Sequence, residues 1–128
     1  MNTPKRVWIY TSIDAPEDLH GALKGQEKEL LDYAERLSFS VAGGSSDLGG
    51  TIASRPGLAA VIAAAGRSEF DILLVRNLPR LGRKPSEAIA IAKELVRLGV
   101  EIYSPLEGKI SAALQHCESR EIGGCRHA

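Results

Sequence analysis

The chain has 128 residues, enough for one ordinary domain, with 44% apolar and 25% charged residues, the balance of a folded water-soluble domain. Lysine plus arginine equals aspartate plus glutamate, 16 against 16, which excludes a whole-domain basic field, so any contact with nucleic acid must come from a local patch. No apolar run approaches membrane-spanning length and the N-terminus lacks the apolar core of a signal peptide, so the expectation is a cytoplasmic protein with no membrane partner.

Arg6-Val7-Trp8-Ile9-Tyr10 reads as the first strand. A loop with breakers Asp14 and Pro16 follows, and Gly21 and Gly25 argue against a settled helix before Gln26. From Gln26 to Leu37 the apolar residues Leu30, Leu31, Tyr33, Ala34 and Leu37 fall at helical spacing, opposite a charged face. Phe39 to Ala42 reads as a second strand. Gly43 to Ser54, rich in glycine and serine, reads as a long mobile loop, and loops of that length in compact domains are often functional. Ser54 is the expected N-cap of a helix opening at Arg55-Pro56-Gly57, whose apolar body should be well buried and which stops at Gly66. Pro85-Ser86-Glu87 opens a third helix that runs to about Leu98, with Gly99 as its stop signal, and Val100 to Ser104 is the last strand. Strands alternating with helices predict an α/β fold: a three-layer sandwich around a mainly parallel sheet with right-handed crossovers.

The stretch from Asp71 to Arg83 organises this plan. Ile72 to Val75 is short, apolar and rich in strand formers, as a buried parallel strand should be. It breaks into a basic segment, Arg76, Arg80 and Arg83, punctuated by Pro79 and Gly82. In open α/β sheets, ligands sit in the crevice outside the carboxyl ends of the strands. Two or three guanidinium groups are therefore expected where a polyanion would dock, and guanidinium matches phosphate oxygens with a rigid fork of donors. A solvated basic loop is the plain alternative.

Several blocks together resemble the N-terminal catalytic domain of serine recombinases, the resolvase/invertase group, a flavodoxin-like fold. They are the strand end Ile9-Tyr10; Leu23-Lys24-Gly25-Gln26 with Leu30 and Tyr33-Ala34; Asp47-Leu48-Gly49-Gly50-Thr51 with Arg55-Pro56-Gly57-Leu58; Phe70 to Val75 with Leu78-Pro79-Arg80-Leu81-Gly82-Arg83; and Gly99-Val100-Glu101-Ile102. The resemblance covers roughly the first four fifths of the chain and implies a resolvase-like domain over 1–106 followed by a short tail, 107–128. It implies DNA cleavage and rejoining through a phosphoserine link, with arginines neutralising the phosphate and no metal, nucleotide or other cofactor. Arg55, Arg80 and Arg83 fall on three of the family's arginine positions and Gln26 on its active-site glutamine. The DNA-phosphate contacts to be expected are then Arg55, Arg76, Arg80 and Arg83.

The departures bear on chemistry. The family's Tyr-x-Arg-Val-Ser becomes Tyr10-Thr11-Ser12-Ile13-Asp14. Asp14 stands at the nucleophile position and Ser12 at that of a catalytic arginine. Gly49 replaces a second serine, and Pro79 replaces the aspartate before the arginine matched by Arg80. A carboxylate facing a phosphate adds repulsion, and an acyl phosphate is more labile than a phosphate ester. Ser12 is a weak substitute, since a shift of two residues displaces it by several ångströms and about 1 Å can cost 10²-fold in rate.

After the last core strand, Lys109 to Leu114 reads as one or two helical turns, and Gln115 to Ala128 shows no periodicity, so neither the family's long dimer helix nor a helix-turn-helix is expected. His116, Cys117, Cys125 and His127 are soft ligands without the tight spacing of a zinc site, so no metal is expected. Three functional classes fit. One is a recombinase domain still tied to DNA, acting with a full-length recombinase or by self-association. Another is a silent relative, kept as a binding or regulatory module or left as a decayed mobile-element fragment. The third is a small domain binding a phosphorylated small molecule near Arg80 and Arg83, which suffers from the lack of a glycine-rich phosphate turn. The residues favour the recombinase fold with strand cleavage lost.

Overall fold

A computed structural model describes residues 4–13, 21–48, 55–82 and 84–110. Asp14, Gly49, Gly50, Ser54, Arg83 and the histidines and cysteines of the tail lie outside the described residues. Five strands form one sheet in the order β2-β1-β3-β4-β5. They are β1 (Arg6–Ser12), β2 (Ser40–Asp47), β3 (Ile72–Leu74), β4 (Glu101–Ser104) and β5 (Gly108–Lys109). Helices α1 (Ala22–Arg36), α2 (Pro56–Gly66) and α3 (Pro85–Arg97) cross between them, and a 3₁₀ turn, Leu78–Leu81, follows β3. The first four strands pair in parallel and β5 pairs antiparallel to β4. Among the described residues, no helix is long and apolar enough to cross a membrane.

Period-two alternation along β1 sorts its side chains between two cores. Val7 and Ile9 join Leu30 and Ala34 of α1, with Ile72 and Leu74. Tyr10 joins Leu58 and Val61 of α2 and Ala88, Ala92 and Leu95 of α3, with Leu73 and Ile102. The sheet is thus covered on both faces, which makes the three-layer sandwich. It also explains why Ile72 to Leu74 is apolar throughout.

Four expectations change. Helix α1 starts at Ala22 rather than Gln26. Gly25 weakens it by only about 1 kcal/mol, while the buried stripe Gln26, Leu30 and Ala34 anchors it to the sheet. Strand β1 runs on through Thr11 and Ser12, which therefore are not loop residues.

Strand β2 also continues, from Gly43 through Asp47, where a mobile loop was expected. Small residues are poor strand formers, yet packing demands them here: a Cβ on Gly43 would lie 2.7 Å from the Trp8 ring. One register shift accommodates the close approach, between Val7 and Trp8 opposite Val41 and Gly43. Lys109 pairs with Tyr103 in β5, so the helix expected from Lys109 opens at Ile110 instead. The remaining differences are of a residue or so: β3 ends at Leu74 and β4 starts at Glu101.

Candidate functional site

Strand β1 has β2 on one side and β3 on the other, so the direction of winding reverses between β1 and β3. This is the topological switch point, where the crevice at the carboxyl ends of the strands opens. The residues there are Ser12 at the end of β1, Asp47 at the end of β2, Arg55 at the start of α2, and Arg76 to Leu81 after β3.

On the β2 side the polar groups are buried and mutually satisfied. Asp47, 5% exposed, accepts from the amides of Gly57 (2.7 Å) and Leu58 (2.8 Å) and from the Tyr10 hydroxyl (2.7 Å). It thereby caps α2, whose flanking residue is Arg55 rather than the expected Ser54. Gly57 is required for that approach, because a Cβ would lie 2.5 Å from the Ser46 carbonyl oxygen. Arg55, 7% exposed, donates to the Tyr10 hydroxyl (2.6 Å), the Arg80 carbonyl (2.7 Å) and the Leu81 carbonyl (2.9 Å). Its Nε lies 4.0 Å from Asp47. Burial, with the hydrogen bond to Asp47, pushes the Tyr10 phenol well above its usual range.

The β1 end is fixed from both sides. Gln26 donates from Nε2 to the Ser12 carbonyl (2.8 Å) and accepts the Ser12 amide at Oε1 (3.2 Å). A buried glutamine from α1 thus does the work of a strand neighbour. The Ser12 hydroxyl donates to the Arg80 carbonyl at 2.9 Å and the residue is 6% exposed.

The β3 side is more open. Arg80 is half-buried and donates from one terminal nitrogen to the Ser12 carbonyl at 3.1 Å. Its buried Nε has no acceptor among the described residues. Burial, and secondly the charge of Arg76, lower its proton affinity, though a guanidinium stays charged at neutral pH. Arg76 also is half-buried. Glu29 of α1 lies 3.3 Å from its Nε, but off the N–H axis, so this is an ion pair without a hydrogen bond at that nitrogen.

The structure therefore brings Gln26, Ser12, Arg55, Arg76 and Arg80 to one edge, and it gives them unequal standing. Arg55 is a buried tie between α2 and the 3₁₀ turn, with its donors turned inward. Sequence reasoning missed Tyr10 and Asp47 as members of the cluster. Asp47 falls inside the Gly43 to Ser54 stretch whose composition predicts a loop. The available signal was an aspartate placed shortly ahead of an Arg-Pro-Gly helix start, which Ser54 obscured by offering a nearer cap.

A mainly parallel sheet with one helix on one face and two on the other, and arginines at its switch point, defines the resolvase-like class of α/β domain. The sequence matches the family model for the resolvase N-terminal domain over residues 12–118, and the chain belongs to that family. Its fold is similar to the N-terminal catalytic domain of TP901-1 integrase, with 24% identity, 93% of this chain and 98% of that one covered, and a TM-score of 0.72. A resolvase-family site-specific recombinase from Streptococcus pneumoniae is 17% identical over 95% of this chain and 91% of its own, with a TM-score of 0.71. The C-terminal catalytic domain of ISC1926 TnpA, an IS607-like serine recombinase, is 23% identical over 77% and 69%, with a TM-score of 0.69. At these identities the likeness to the solved structures is one of fold. No curated protein sequence matches the chain.

Proposed function

We propose that this recombinase-family domain docks the sugar-phosphate backbone of DNA at the switch point and does not cut it. The observation that carries the reading is the contrast at Arg80: a half-buried guanidinium at the switch point whose Nε has no acceptor among the described residues. Arg80 is the principal phosphate contact, joined by Arg76 and, from its place in the sequence motif, Arg83. Arg55 supports the site from within, and Gln26 holds the strand end. Asp14 at the nucleophile position repels phosphate, and a bond through its carboxylate would be a labile acyl phosphate. Ser12 is no substitute, because its hydroxyl donates to the Arg80 carbonyl and its backbone is held by Gln26. With a net charge of zero, affinity is electrostatic, weak and steeply salt-dependent. The partners are DNA and, through the family's habit of assembly, a full-length recombinase or a second copy.

The test is incubation with supercoiled plasmid and labelled duplex at low salt. The expected result is a salt-sensitive mobility shift with neither nicks nor a covalent adduct after denaturation. An adduct mapped to one hydroxyl by mass spectrometry would make the chain an active enzyme. Arg80→Ala with Arg83→Ala should remove the shift, and unchanged binding would remove the arginine site from consideration.

A further inference from the structure

The β4–β5 turn carries two side chains whose hydrogen bonds reach beyond their own hairpin. Ser104, the last residue of β4, is fully buried. Its oxygen accepts the amides of Leu106 (3.0 Å) and Glu107 (3.2 Å), which accounts for the turn itself. Its hydroxyl then donates to the carbonyl of Arg76 at 2.6 Å. Glu107 accepts the amide of Leu78 at 3.1 Å. Neither of these two bonds is needed to close the hairpin. Both go to the stretch that leads from β3 into the 3₁₀ turn, at Arg76 and at Leu78, the turn's first residue, one on each side of Asn77.

That segment decides where the two half-buried guanidinium groups sit. Arg76 is close enough to lower the proton affinity of Arg80. Like charges in this position repel, and each keeps a buried Nε without a hydrogen-bond acceptor. A loop free to relax would separate them and hydrate both nitrogens. Something must hold the segment against that tendency. Within the described residues Arg55 and Ser12 hold its far end at the Arg80 and Leu81 carbonyls, the two bonds from the β4–β5 turn grip its near end at Arg76 and Leu78, and Glu29 supplies counter-charge to Arg76 at 3.3 Å.

We infer that Ser104 and Glu107 are positioning residues, which hold Arg76 and Arg80 together as one anion-binding unit. The inference rests on the proposed phosphate contacts of those arginines and adds to it the element that sets their placement. Ser104 is the stronger grip, because its bond is partly buried, whereas the Glu107 bond is exposed.

The experiment pairs duplex-DNA titrations at low salt with amide hydrogen exchange on the whole chain. Ser104→Ala should weaken duplex binding about tenfold and Glu107→Ala about threefold, the scale of one net hydrogen bond each. Glu107→Gln, which keeps a carbonyl acceptor for Leu78, should bind as well as the wild type or better. In Glu107→Ala the Leu78 amide should exchange faster while those of Leu73 and Ile102 stay protected. Should Ser104→Ala fail to fold, exposed Glu107 still provides the test. Wild-type affinity in Glu107→Ala despite faster Leu78 exchange would overturn the inference and leave the arginine site standing. Absence of duplex binding by the wild type would overturn the arginine site, and the inference with it.

Discussion

Arg55 and Arg80 stand at the same end of one sheet, and their guanidinium groups live in different worlds. Arg55 is enclosed by the Tyr10 hydroxyl, two backbone carbonyls and, at 4.0 Å, the Asp47 carboxylate. Among the described residues Arg80 gives a hydrogen bond to the Ser12 carbonyl and leaves its Nε unmatched. Burying a charge is tolerable only with full pairing, and the β2 side supplies it. Among the described residues the β3 side pairs Arg76 with Glu29 and gives Arg80 no carboxylate. A cluster of arginines at a switch point is therefore not one site but two: a closed knot that builds the edge, and an open pair that the edge presents.

The largest test of that division is Asp47→Ala. It strips a buried arginine of its carboxylate and α2 of its cap, with an expected destabilisation of about 3–5 kcal/mol, read from chemical denaturation. A loss within the range of a surface substitution would mean that Arg55 is not dependent on the knot. Next is Tyr10→Phe, which deletes the hydroxyl between Asp47 and Arg55 (2.7 and 2.6 Å) and should cost about 1–3 kcal/mol. Its thermal melt should fall without a change in the fold's circular dichroism spectrum.

The same hydroxyl gives a pH signature. The Tyr10 phenol titrates higher in the folded chain than in the unfolded one, through burial and Asp47. The folded state therefore holds its proton more tightly. That contribution to stability is complete below about pH 10, the unfolded value, and is lost as the pH rises above it. Melts across the alkaline range should show this decline in the wild type and a shallower one in Tyr10→Phe. Equal slopes would place the titration elsewhere. The smallest expected effect on stability is that of Arg80→Ala, a shift within about 0.5 kcal/mol together with a marked loss of duplex binding. A large drop in melting temperature would erase the distinction between knot and open pair.

The sequence reader could see much of this edge but not how it is divided. Strand β1, helices α2 and α3 and the basic segment after β3 announce themselves through apolar runs, Pro at helix starts and clustered arginines. Periodicity reports which face of an element is buried, and those elements obey it. Gly43 to Ser46 do not, because their place in β2 is imposed by the ladder with β1 and by the bulk of Trp8. Lys109 is in the same position, since a two-residue strand exists only by virtue of its partner β4. The arginines were identifiable as candidates from their type and order. Which of them is enclosed depends on Asp47 and Tyr10, 37 residues apart in the chain, and no local pattern links those two.

The capping of α2 by Asp47 also has a kinetic side. A helix that carries its own cap can close its first turn as soon as its residues meet. Among the described residues α2 has no local cap, since Arg55 makes no such bond, and the carboxylate that satisfies its Gly57 and Leu58 amides belongs to the strand before it. Asp47 comes into place only when β2 has joined β1, a contact between distant parts of the chain. The start of α2 is thus completed late, after the edge of the sheet has formed, and Asp47→Ala should hasten unfolding far more than it slows folding.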